Sequence, residues 1–128
     1  MTTQPEAAVV PWSDTDASGR FHFTAPFRWA ENAEHELLRA AGFGPEPFPR
    51  RAVTSSYLRP LMAGDPYTVD IGVEQIGSTS ITYWWRVLSG GEVCVEGSHT
   101  AVHLDDSGRP CPLPDPLRAA LNRHVRPK

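Results

Sequence analysis

The sequence predicts an α+β domain in which a curved antiparallel sheet of about five strands wraps around one long central helix, followed by a short C-terminal helix. Three observations carry this. Only one long stretch, residues 24–41, repeats its apolar residues at three and four. Four strand-like runs follow it almost without interruption, and they are separated by tight turn signals rather than by further helices.

Residues 7–12, AAVVPW, read as a short first strand, confined to an edge or ending near Pro11 because proline cannot donate to a ladder. The run SDTDASGRFHF has turn chemistry and no helical period. Thr24 is the expected N-cap and Pro26 falls in the first turn, where a missing N–H costs little. Phe27, Ala30, Ala33, Leu37 and Ala40 or Ala41 form the apolar stripe; Arg28, Asn32, His35 and Arg39 face away, and Gly42 ends the helix. The prolines of residues 44–49 make a rigid connector.

Strands are then expected at 52–58, from Tyr67 onward with inward Tyr67, Val69, Ile71 and Val73, and at 81–88 up to a Ser89-Gly90-Gly91 hairpin turn. In the last strand Val93 and Val95 are apolar at odd positions but Val102 and Leu104 at even ones, which predicts a bulge near Gly97. Tyr83, Trp84, Trp85 and Val87 give their strand bulk on both faces, so the outer face is expected to pack on another subunit. A helix over 115–125 closes the chain.

At 128 residues the chain is expected to form a single domain, 1–128. A net charge of -3 with interspersed signs argues against a nucleic-acid or membrane-surface protein. No apolar run reaches the ~20 residues of a spanning helix and no leader pattern opens the sequence, so a cytoplasmic location is expected. Cys94 and Cys111 fit that compartment as free thiols. His99 and His103, four apart on a strand, would stand ~13 Å apart, too far to share an ion, and no metal is expected.

The stretch from Trp12 to Ala41 holds the candidate chemistry. Asp14 and Asp16 precede a helix start, whose unpaired N–H groups and positive dipole end can hold an oxyanion or polarised carbonyl. Asp16 is placed to act on the polarised group. Its competing role is an Asx turn, and Asp14 is assigned to turn and strand-end hydrogen bonding.

D-x-D-x-x-G from Asp14 to Gly19, R-W-x-E-x-A from Arg28 to Ala33 and Y-L-R-P from Tyr57 to Pro60 occur in one order with Gly64-Asp65, V-E-Q-I-G-S-T-S, a Gly-Gly-Glu hairpin and D-x-x-G-R-P-x-P-L-P ending at Pro114. Together, over roughly residues 8–117, they resemble the hotdog-fold thioesterases of the 4-hydroxybenzoyl-CoA thioesterase and acyl-CoA thioesterase type. The chain departs from that pattern at Pro26, where a Tyr is usual, and at Phe23, where a His often stands; His22 lies one position earlier.

The resemblance implies an acyl-thioester hydrolase acting on acyl- or aroyl-CoA, or on an acyl carrier protein, with no cofactor beyond the coenzyme A or phosphopantetheine arm of the substrate. It places the catalytic carboxylate on Asp16, as nucleophile or general base, and the polarising backbone N–H on Phe23. His22 and Glu31 are candidate supporting groups, Glu31 otherwise pairing with His35 or Asn32 on its helix. Gly19, Ser55, Ser56 and Thr79 are candidate substrate contacts, and Arg59 and Arg86 candidate phosphate ligands. A homodimer or homotetramer is implied. The competing functions are a hotdog dehydratase or hydratase, which would use a catalytic histidine on the helix segment, and a non-catalytic acyl-binding subunit.

Overall fold

A computed structural model describes residues 2–3, 8–44 and 48–125. In chain order these form β1 (Thr2–Thr3), β2 (Ala8–Val9), a 3-10 turn (Trp12–Asp14), α1 (Ala25–Ala40), β3 (Arg50–Tyr57), β4 (Pro66–Ile76), β5 (Ser80–Ser89), β6 (Glu92–Val102) and α2 (Asp115–Asn122). The long strands run β4-β5-β6-β3, all neighbours antiparallel. β1 and β2 both lie on the free edge of β4, acting as one interrupted fifth strand. The first strand is shorter than its sequence suggests: it ends at Val9, Val10 still bonding Asp65 O and Gly64 N–H before Pro11, which has no N–H; Ala7 lies outside the described residues, as do 45–47 of the expected connector.

The central helix begins after Thr24 and stops before Gly42, whose φ of 91° suits a residue without a Cβ. Its buried stripe comprises Pro26, Trp29, Ala30, Ala33, Glu34, Leu37 and Leu38, while Phe27 is half-buried and Ala40 exposed. The expected stripe is therefore rotated slightly. Ala25, Ala30 and Ala33 are small enough to let α1 approach β4 and β5 closely, where it meets Val69, Ile71, Val73, Tyr83, Trp85 and Val87.

Gly97 pairs with Trp85 across β5 and β6, and an added Cβ would sit 2.3 Å from Thr54 O and 2.5 Å from Trp85 Cζ2. Only glycine fits there. The bulge expected at this position is instead at Cys94: pairing is regular from Val95 to Val102 and skips one residue between Val87↔Val95 and Leu88↔Val93. The even-numbered Val102 is apolar for another reason. It stands at the end of β6 with its N–H on Pro49 O and is covered to 8% exposure by the chain entering β3.

On the outer face Trp84 is only 7% exposed, because its indole lies flat over Gly72 and the Arg86 guanidinium stacks on it at 5.6 Å. The bulk that suggested a second subunit is thus covered within the chain. α2 packs Leu117, Ala120 and Leu121 into the core beside β4. Among the described residues no helix is long and apolar enough to cross a membrane.

Candidate active site

The loop before α1 is fixed by its first aspartate. Asp14 is 5% exposed; its Oδ1 takes a charged hydrogen bond from Arg28 Nη2 and its Oδ2 accepts Trp29 Nε1–H at 2.9 Å. Burial works against its charge, but the bonds from Arg28 and Trp29 prevail and hold the carboxyl below the usual range. Asp14 O also accepts His22 N–H at 2.6 Å. Asp14 therefore clamps the loop to the helix, a larger part than local turn bonding.

Two residues on, Asp16 closes a tight loop: its N–H bonds Arg20 O at 2.9 Å and its C=O accepts Gly19 N–H at 3.0 Å, with Gly19 at φ 83°. The exposed Asp16 carboxylate accepts Ser18 N–H at 2.8 Å and Ser18 Oγ–H at 2.5 Å, both on Oδ1. The Ser18 hydroxyl, then its amide, lowers the Asp16 pKa below the ordinary value. The Asx turn thus coexists with an open carboxylate: among the described residues Oδ2 has no donor.

At the helix start, His22 O accepts Ala25 N–H at 2.9 Å, His22 Nδ1 accepts Thr24 N–H at 3.1 Å, and Thr24 O accepts Phe27 N–H at 3.2 Å. Pro26 has no N–H to offer. Phe23 is left as the tip amide for which no acceptor is found among the described residues. Thr24 caps nothing with its side chain, because its Oγ1 lies 2.7 Å from His22 Nδ1. His22 Nδ1 thus receives Thr24 N–H and helps close the turn at the helix start.

Asp16 and Phe23 line one groove of about 410 Å³, together with Ser18, Arg20, Phe21, Tyr57, Leu58, Arg59 and Pro60. Arg59 Nε is 3.0 Å from Glu92 Oε2, with both side chains more than half exposed. Sequence reasoning missed Ser18, Arg20, Phe21, Tyr57, Leu58 and Pro60 as lining residues, although Tyr57, Leu58 and Pro60 stand in the quoted Y-L-R-P motif.

The other predicted contacts are not gathered here. Ser55 and Ser56 are consecutive strand residues and so face opposite sides of the sheet. Ser55 Oγ is enclosed without a partner among the described residues, while Ser56 joins Arg86, Thr54, Trp84, Glu96 and Ser98 around a separate hollow of about 290 Å³ on the outer face. Arg86 pairs there with Asp70 at 3.1 Å. Thr79, in the β4–β5 turn, accepts His103 N–H at 2.7 Å on its carbonyl.

Glu31 pairs with Arg50 Nη2 at 3.2 Å rather than with His35 or Asn32, because Arg50 opens β3 directly across from this turn of α1. Arg50 also holds Glu34, at 2.5 Å, and Glu34 is 2.8 Å from His99 Nε2, both residues being almost fully buried. His99 and His103 are not equivalent strand positions, since β6 ends at Val102 and His103 turns to the Cys111 and Pro112 carbonyls.

A groove holding a carboxylate beside an unpaired helix-tip amide suits acyl transfer, in which one group attacks or activates water and the other receives the oxyanion. Similarity to known proteins agrees with this chemistry. The thioesterase-like superfamily matches residues 10–121. A 1,4-dihydroxy-2-naphthoyl-CoA hydrolase of Synechococcus sp. (strain CC9605) is 30% identical over 132 residues, covering 90% of this chain and 89% of its own.

Among solved structures, a predicted thioesterase from Bacillus stearothermophilus superposes with TM-score 0.88 at 29% identity, covering 99% of this chain and 98% of that one. A thioesterase complexed with coenzyme A and Zn from Thermus thermophilus gives TM-score 0.83 at 25% identity, covering 99% and 96%. Sheet and helix agree with these matches: the chain belongs to the thioesterase-like superfamily and is a thioester hydrolase of the hotdog fold.

Proposed function

We propose that the protein hydrolyses aroyl-CoA thioesters to the free acid and coenzyme A, with Asp16 as the reacting carboxylate and Phe23 N–H as the oxyanion donor. The observation that carries this reading is the shared groove: an exposed carboxylate with an open Oδ2 and the tip amide without an acceptor among the described residues line the same cavity. Either Oδ2 attacks the carbonyl carbon, expelling the thiolate and leaving a mixed anhydride that water then opens, or it removes a proton from an attacking water. Both routes place the developing negative charge on the carbonyl oxygen at Phe23 N–H.

The aryl preference is supported by the ring-rich wall of Phe21, Phe23 and Tyr57, and by the dihydroxynaphthoyl substrate named for the Synechococcus relative. Arg20 and Arg59 at the groove supply positive charge for the phosphates of coenzyme A. A carrier-protein thioester presents the same arm and would enter the same way. The compartment that supplies such thioesters is the cytoplasm, and the free Cys94 and Cys111 accord with it. A dehydratase is less favoured, since His22 is spent on Thr24 and His99 on Glu34. Thiol release from a panel of aroyl- and acyl-CoAs tests the reading: aroyl-CoAs should turn over fastest, and no release above a substrate-free blank would reject it.

The working unit is a homodimer joined along β3. That strand is the sheet's edge, its outer ladder groups are unpaired among the described residues, and Val53, Tyr57 and Leu58 leave about half their surface exposed at 49%, 45% and 53%. Two such edges related by a two-fold axis would pair antiparallel and carry their grooves to one seam. Sedimentation equilibrium should give twice the chain mass of 14.1 kDa. A species of single chain mass at micromolar concentration would contradict it.

A further inference from the structure

We infer that Tyr57 is a positioning residue for the oxyanion amide, acting through the Phe23 carbonyl; this rests on the proposed use of Phe23 N–H. The Phe23 side chain is 61% exposed and offers the backbone little anchorage beyond a stack of its ring on His22, with centroids 4.6 Å apart. Its carbonyl would ordinarily be claimed by the helix, but Phe27 N–H turns to Thr24 O instead. The donor that reaches Phe23 O is the Tyr57 hydroxyl, at 2.5 Å from the far side of the groove.

That hydroxyl is well placed for the task. Tyr57 ends β3, so its backbone is fixed by pairing with Val95, and its ring is braced on Phe21 with centroids 5.8 Å apart. Phe21 in turn packs on Trp29, the residue that holds Asp14. A phenol carried on a rigid strand therefore fixes the helix-tip residue whose N–H is the proposed oxyanion donor. Losing the bond would let Phe23 rock about its own φ and ψ, and the donor would spend less time aimed at the oxyanion. A loosened donor should cost less than the ~10²–10³-fold of a deleted one.

Tyr57→Phe removes only the hydroxyl and keeps the ring brace. The expected result is a kcat about tenfold lower with KM within about twofold of wild type, and faster hydrogen exchange at the Ala25 amide, whose bond to His22 O closes the turn around Phe23, while Leu37, in the same helix, is unchanged. Thr54→Val, a hydroxyl loss on the opposite face of the same strand, should leave kcat and Ala25 exchange as they were. An unchanged kcat together with unchanged Ala25 exchange in Tyr57→Phe overturns the inference, whatever Asp16→Asn does. Equal exchange changes at Ala25 and Leu37 would also overturn it, as general loosening. Full activity in Asp16→Asn beside a tenfold loss in Tyr57→Phe would remove the acid assignment and leave Tyr57 in place.

Discussion

Replacing Asp16 with Asn should lower kcat for thiol release by about 10³-fold with KM within about threefold, because the amide fills the same space and can still take the Ser18 bonds but neither attacks nor accepts a proton. The side chain is exposed and the substitution leaves the Asp14 clamp untouched, so the thermal midpoint should not move. Stopped assays of thiol release on wild type and variant, with unfolding followed in parallel, check both halves. A variant within threefold of wild type in kcat would exclude Asp16.

As the proposed reacting group, the same carboxylate should set the acid limb of the rate profile. The Ser18 hydroxyl and amide stabilise its charged form, so the group stays ionised below the ordinary aspartate value of 3.8, and activity should persist to lower pH than an unperturbed Asp allows. Ser18→Ala should move that limb upward.

The second large effect is on stability. Glu34→Gln should lower the free energy of unfolding by about 3 kcal/mol and the thermal midpoint by about 10 °C, because it removes the charge that both Arg50 and His99 face inside the core. Burial would raise the Glu34 pKa, but the His99 bond and the Arg50 charge outweigh it and the net shift is downward. Between the folded and unfolded pKa values the unfolded chain therefore binds more protons. The stabilisation is fully present above the ordinary glutamate value of 4.5 and disappears as pH falls through the lower folded value. Urea unfolding of both proteins at pH 7 and below the ordinary glutamate value of 4.5 should show a gap that narrows on acidification; a constant gap would mean that shape rather than charge is responsible.

Much of this architecture was readable from local chemistry. Thr24, Pro26 and Gly42 marked the helix ends because starting and stopping a helix depends on adjacent residues. The four long strands followed from period-two alternation and glycine turns. What failed depended on distant partners. Asp14 and Asp16 look alike in the loop, and only Arg28 and Trp29, fourteen and fifteen residues away, separate a buried clamp from an open carboxylate. Glu34 lies in the apolar stripe between Ala33 and Leu37, a signal for a buried acid, but its partner His99 is sixty-five residues further on.

The misplaced bulge has a similar origin. Parity of apolar residues cannot distinguish a slipped register from a strand end that is buried for other reasons, as Val102 is. Ser55 and Ser56 are a different case: the period of two puts consecutive strand residues on opposite sides of the sheet, so within one chain they do not share a groove.

The Asp14 clamp carries one more consequence. Because that side chain grips the helix two positions before Asp16, acid and amide travel as parts of a single stiff body instead of as a drifting loop and a fixed tip. The proposed catalytic geometry then depends on the helix staying seated on the sheet, and on the Tyr57 bond that holds its tip.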